Sequence, residues 1–110
     1  MSKATYWQKG QSLDYTNSTD AVIEANTILT VGDLIGVAGT DIEPGETGSI
    51  HVEGVFQMPK KDTTEIKMGT PVYFGTDGIT ATSGTSVKSA GYAAENSAAG
   101  ETNILVKLNK

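Results

Sequence analysis

An all-β fold is what the sequence predicts: a small antiparallel barrel or sandwich of about eight short strands, preceded by an extended N-terminal arm. Three observations carry it. Thirteen glycines against three prolines are spread along 110 residues, which suits tight turns between many strands better than a linker or a disordered tail. Apolar residues recur in short alternating or continuous runs rather than at helical spacing. Turn residues punctuate those runs every 8 to 12 positions, the spacing of a sandwich or barrel (about 8 to 12 residues). A chain this long holds one modest core, and with 6% aromatic residues that core is aliphatic.

Residues 1–9 form the arm. They show no apolar periodicity, yet they hold Tyr6 and Trp7, the only tryptophan. Either Trp7 folds back to plug one end of the core, or it docks on a partner. The single β domain follows, residues 10–110. Leu13 and Tyr15 alternate with Ser12, Asp14 and Thr16, and Asn17-Ser18-Thr19-Asp20 supplies a turn. Residues 21–24 include the β-branched Val22 and Ile23 and read as extended. Asn26 suits a left-handed turn position. Ile28 to Val31 and Leu34 to Ala38 are two strands about Gly32-Asp33, as a hairpin or a bulged strand.

Asp41 to Gly48 is turn chemistry around Pro44-Gly45. It leads into a long strand, Ser49 to Phe56, with Ile50 and Val52 on one face, His51 and Glu53 on the other, and Gly54 at a bulge or close approach. Thr63 to Lys67 can hold one helical turn. Pro71 to Phe74 and Ile79 to Thr82 flank the hairpin turn Thr76-Asp77-Gly78. Ser89 to Ala94 and Asn103 to Leu108 are the last strands. The chain also echoes itself: Gly36-Val37-Ala38 then Gly45-Glu46-Thr47 recurs 55 residues later as Gly91-Tyr92-Ala93 then Gly100-Glu101-Thr102. Each copy runs into a strand, Ile50-His51-Val52 or Ile104-Leu105-Val106, which implies internal pseudo-symmetry.

Charge narrows the function classes. The net charge is -5, and every positive residue is lysine. Nucleic-acid binders present arginine-rich basic faces, so no nucleic-acid partner is expected. No apolar run resembles a signal peptide or membrane span, so no membrane partner is expected. Eight acidic residues lie between Asp14 and Glu53 with no lysine among them, whereas Lys3 and Lys9 precede them. A basic arm enters an acidic body.

Catalytic groups are scarce. His51 is the only histidine and sits on the polar side of a strand; there is no cysteine, no paired-histidine spacing and no calcium loop. Asp41, Glu43 and Glu46 share one loop and read as loop acids rather than calcium ligands. The glycine-rich stretches lack the Gly-Lys-Ser/Thr of a phosphate cradle. No catalytic residue, metal site or cofactor is expected; the protein is read as a surface binder, not an enzyme.

The order of motifs carries a resemblance. Gly10-Gln11-Ser12-Leu13-Asp14-Tyr15-Thr16-Asn17, then Val31 to Ala38, Asp41 to Gly48 and Val52 to Phe56 occur in sequence, closed by Gly91-Tyr92-Ala93 and Val106-Lys107-Leu108. The chain resembles the small capsid cement, or decoration, proteins of tailed phages over nearly its whole length, departing at Asn26 where glycine is expected. Such proteins have also been described as RecA/RadA-like recombinases, but a strand-exchange ATPase needs a phosphate loop, a basic DNA path and a far longer chain. The resemblance implies a protein made in the host cytoplasm that binds the outer surface of the virion's assembled head. It implies the major capsid protein as partner, bridging of neighbouring subunits, and self-association as a homotrimer or, second, a homodimer. The arm residues Lys3, Tyr6, Trp7 and Lys9 are the expected contacts with the shell or a neighbouring subunit. The rival reading is a receptor- or glycan-binding module on a virion, which calls for an aromatic platform on loops.

Overall fold

The computed structural model describes residues 2–109 and is all-β: among them lie nine strands and no helix. The strands are β1 (Ser12–Thr16), β2 (Ile28–Val31), β3 (Leu34–Ala38), β4 (Thr47–His51), β5 (Val55–Pro59), β6 (Pro71–Gly75), β7 (Gly78–Thr80), β8 (Lys88–Ala93) and β9 (Asn103–Leu108). They form two antiparallel sheets, ordered β1-β4-β3-β2 and β5-β9-β8-β6-β7. In the second sheet β7 makes one isolated parallel bridge to the end of β5, Ile79 to Lys60, but the ladder does not close into a barrel. The architecture is a sandwich.

The extra strand arises where one long strand was expected. Alternation runs from Ser49 through Glu53, but the chain leaves the first sheet after His51 and enters the second at Val55. Gly54, at φ 113°, makes the bend between them. Residues 63–67 hold no helical turn either. Ile66 instead makes an isolated antiparallel bridge with Ser97, and Ile23 makes one with Ile42. Each segment has one large apolar side chain to bury, and pairing with a turn across the sheet buries it more cheaply than nucleating a helix. Gly32-Asp33 is a two-residue hairpin, since Val31 pairs directly with Leu34.

Those two bridges belong to a repeat that runs through the molecule. β1, β2, β3 and β4 correspond to β5, β6, β8 and β9, and β7 with its loops, residues 76–87, is the insertion that distinguishes the second unit. Most of the turn hydrogen bonds match. Ile23 and Ile42 exchange backbone hydrogen bonds of 3.0 and 2.8 Å, as Ile66 and Ser97 do at 2.9 and 2.8 Å. The Asn26 amide donates to the Ala38 carbonyl at 2.8 Å, and the Gly69 amide to that of Ala93 at 2.8 Å. Asn26, at φ 71°, thus stands where the second unit has Gly69 at φ 88°. The expectation of glycine there has its reason in a left-handed turn that asparagine also tolerates. By ladder register, Ile50 corresponds to Val106 rather than to Ile104, because Leu13 faces Ile50 as Phe56 faces Val106.

Buried polar side chains follow the same correspondence. Asn17 is fully buried, and its amide nitrogen donates to the carbonyls of Ala21 and Ile42, both at 2.8 Å. Its Oδ1 accepts from the Thr19 amide and hydroxyl at 2.9 and 2.6 Å. Lys60 occupies the matching place and is 8% exposed; its ammonium donates to the carbonyls of Ser97 at 3.3 Å and Ala98 at 3.0 Å. A donor at this position ties the end of the first strand to the far turn in both units, which satisfies the buried carbonyls of Ile42 and Ser97.

The sheets stack asymmetrically. Directly paired residues in an antiparallel ladder point to the same face, so Ser12, His51, Val37 and Ile28 form one row across the first sheet. On that face Ile35 and Val37 enter the central core beside Met58, Val72, Val106 and Leu108 of the second sheet, with Ile28, Phe56 and Phe74 packed against it. Asn109 clamps the two layers: its amide donates to the carbonyls of Ile35 and Val52, both at 2.9 Å.

Candidate functional site

Before a binding role is considered, the groups able to do chemistry can be placed. His51 lies half-buried on β4, its Nδ1 3.3 Å from the Ser12 hydroxyl and its ring 5.7 Å from that of Phe56. It is a packing residue between the sheets. The loop acids cap turns. Asp41 accepts from the Ala25 amide at 2.7 Å, and Glu46 from the Glu43 amide at 3.2 Å. In the second unit Asn96 accepts from the Met68 amide at 2.7 Å, and Glu101 from Ala98 at 3.0 Å. Asparagine does in one repeat what aspartate does in the other, so the turn uses the oxygen and not the charge. Among the described residues no group of three or more histidine, aspartate or glutamate side chains is placed to hold a metal ion.

An apolar groove of about 490 Å³ opens between the sheets beside Ile28, Val37, Phe56 and Phe74. Asp77 is the one ionisable residue lining it.

The arm is different in kind. Residues 2–10 belong to no strand, and residues 2–9 are all exposed. Tyr6 is 79% and Trp7 88% exposed, the two most exposed large hydrophobic side chains among those described. Trp7 therefore does not plug the core. The core forms without it, because Ile35 and Val37 of β3 join Met58, Val72, Val106 and Leu108 of the second sheet. Lys3 and Lys9 flank the aromatic pair on the same segment, so the structure keeps all four expected contact residues together and free of the body. Among the described residues, the arm's one side-chain hydrogen bond to the body runs from the Gln8 amide to the Ser12 carbonyl, at 3.3 Å. A segment that presents an indole and a phenol to solvent, with a cation on either side, has the composition of a docking peptide: large rigid anchors for burial and lysines for attraction.

Further exposed apolar side chains lie on the outer faces of both sheets: Leu13 and Leu34 on the first, Val55 and Tyr92 on the second, 36 to 54% exposed. In the sequence Leu13 and Tyr92 read only as alternating strand residues. The signal that sets them apart is the repeat, since their counterparts Phe56 and Val37 lie between the sheets.

A family model described as phage cement protein matches residues 7–108. The match takes in both sheets together with Trp7 and Lys9, while Lys3 and Tyr6 precede it. Among curated proteins and among solved structures nothing matches the chain.

Proposed function

The chain belongs to the phage cement protein family, a structural family of the virion capsid, and from this premise we propose that it binds the outer surface of the assembled head and bridges neighbouring major capsid subunits. The observation that supports the outer attachment is the arm: Tyr6 and Trp7 stand exposed on a segment that the body does not need for its own core. Lys3, Tyr6, Trp7 and Lys9 are its contact residues.

The mechanism is linkage. A ligand that binds the closed shell and not its ruptured state stabilises the shell by RT ln(1 + [L]/Kd) at each site, about 2.7 kcal/mol at a hundredfold excess over Kd. Many modest contacts act together, and an association of three copies around a symmetry axis adds their arms. The two most exposed aromatics among the described residues sit on the arm and not on a loop platform, which favours cementing over the glycan-binding alternative.

Co-sedimentation with purified shells tests this. The protein is expected to pellet with closed shells to a fixed number of copies per capsid subunit and to stay in the supernatant with dissociated capsid protein. Equal partition with both would contradict it.

A further inference from the structure

The repeat leaves one surface of each unit uncovered. Inside the molecule, His51, Val37 and Ile28 of the row that Ser12 begins on the first sheet pack as a plug against a socket on the second sheet formed by Phe56, Met58, Val72 and Phe74, with the apolar groove open beside them. Register carries both surfaces to the other unit. The counterpart of the plug is the row Val55, Lys107, Tyr92 and Pro71 on the outer face of the second sheet, where Val55, Tyr92 and Pro71 are exposed and Lys107 is half-buried. The counterpart of the socket is Leu13, Tyr15, Leu29 and Val31 on the outer face of the first sheet, apolar at every position. Leu13 is 39% exposed, and the other three are half-buried.

A terminal unit in a stack needs a polar outer face for solubility. This socket has none.

We propose that the outer plug of one chain docks on the outer socket of a second copy, repeating between molecules the stacking that joins the two units within one. Charge selects this pairing over socket on socket. Residues 10–54 carry eight acidic residues and no lysine, whereas residues 55–110 carry six lysines and five acids. A plug bearing Lys107 meets an acidic unit; two sockets would set eight acids against eight. The contact is heterologous, so copies close into a ring where the rotation between them allows it, as a trimer would require.

The repeat also names a contacting pair. His51 and Phe56 meet across the internal interface, their rings 5.7 Å apart. Their counterparts are Lys107 and Leu13, so Lys107 of one copy lies over Leu13 of the next. The inference rests on the self-association in the functional reading and not on shell binding, and its test contains no shells, so the two fail separately.

The chain has no cysteine, which gives a clean background for cross-linking. Leu13→Cys and Lys107→Cys proteins, each checked for native circular dichroism, are mixed in equal amounts under mild oxidant. The mixture is expected to give a disulfide-linked dimer, each variant alone to stay monomeric on a non-reducing gel, and the double variant to give a ladder. Self-linking of either single variant as strong as that of the mixture, or no link above a Glu43→Cys control, overturns the proposal. A second readout does not depend on cysteine placement: Tyr92→Asp, at an exposed site, is expected to weaken association at least tenfold in sedimentation velocity. Wild-type protein that sediments as a monomer, or a Tyr92→Asp protein that sediments like wild type, also overturns it.

Discussion

Replacing Trp7 by alanine is expected to weaken binding to shells by about 30-fold or more while leaving the melting temperature of the free protein unchanged. The indole is 88% exposed and outside the core, so its removal opens no cavity and strips no partner within the chain. Whatever it contributes, it contributes on a partner. Truncating a central aromatic anchor costs about 2 to 4 kcal/mol, and each 1.4 kcal/mol is about tenfold in Kd. Tyr6→Ala should act in the same direction. Lys3→Gln and Lys9→Gln should instead slow association and flatten its dependence on salt, because exposed charges steer encounter more than they hold a complex. The measurement is a titration of shells with labelled protein, paired with a thermal melt. Affinity equal to wild type in the Trp7 variant, or a loss matched by a lower melting temperature, would remove the arm from the mechanism.

Gly91→Ala is expected to destabilise the fold by more than about 4 kcal/mol, which for a domain of ordinary stability leaves little or no folded protein. Gly91 lies on β8 at φ 129°, beside the register shift between β6 and β8 at Val72/Tyr73. A Cβ built there falls on the Lys107 carbonyl oxygen, and within 2.9 Å of the Asn109 nitrogen. Neither obstacle can move, since both belong to the backbone of the paired strand β9 and its extension. The repeat supplies the control. Gly36, its counterpart, has no positive φ, and a Cβ there would meet the Ile50 side-chain end at 3.0 Å. Gly36→Ala should therefore cost only about 1 to 3 kcal/mol, the range for modest overpacking. Urea titration of the two variants separates them; similar losses would mean that the bulge is not rigid.

How far the sequence could reach follows from which interactions are local. Ile28 to Val31 and Leu34 to Ala38 are marked by continuous apolar residues and a Gly-Asp hairpin, all within one window, and the structure has both strands at those limits. The break between Ser49 and Phe56 was legible only as a bulge or close approach at Gly54, because alternation persists through Val52 and Glu53. What bends the chain there is the choice of two different sheets, set by Asn109 and Gln11 far away in sequence: Val52 donates to the Gln11 carbonyl and accepts from Asn109.

Asn17 shows the same limit at one residue. It reads as a turn asparagine on the surface, and it is buried because its amide closes a gap to Ile42, 25 residues on. Lys60 is held in the same way, by the Ser97 carbonyl 37 residues on. The echo of Gly36-Val37-Ala38 in Gly91-Tyr92-Ala93 was visible, but the insertion of residues 76–87 hid its extent, since the first strands and the last strands of the two units then align at different offsets. Of the candidate contact surface, the aromatic arm could be read from composition. The two outer faces could not, because an exposed Leu13 means little until its counterpart is seen buried.

Heating of purified shells, with and without saturating protein, most directly tests whether the chain acts as a cement. At a hundredfold excess over Kd each occupied site adds about 2.7 kcal/mol to the closed state, so the temperature of shell rupture should rise, and rise further with protein concentration. The Trp7→Ala protein at the same concentration should give a smaller increase. Shells that rupture at the same temperature whether or not saturating protein is bound would contradict the cementing role.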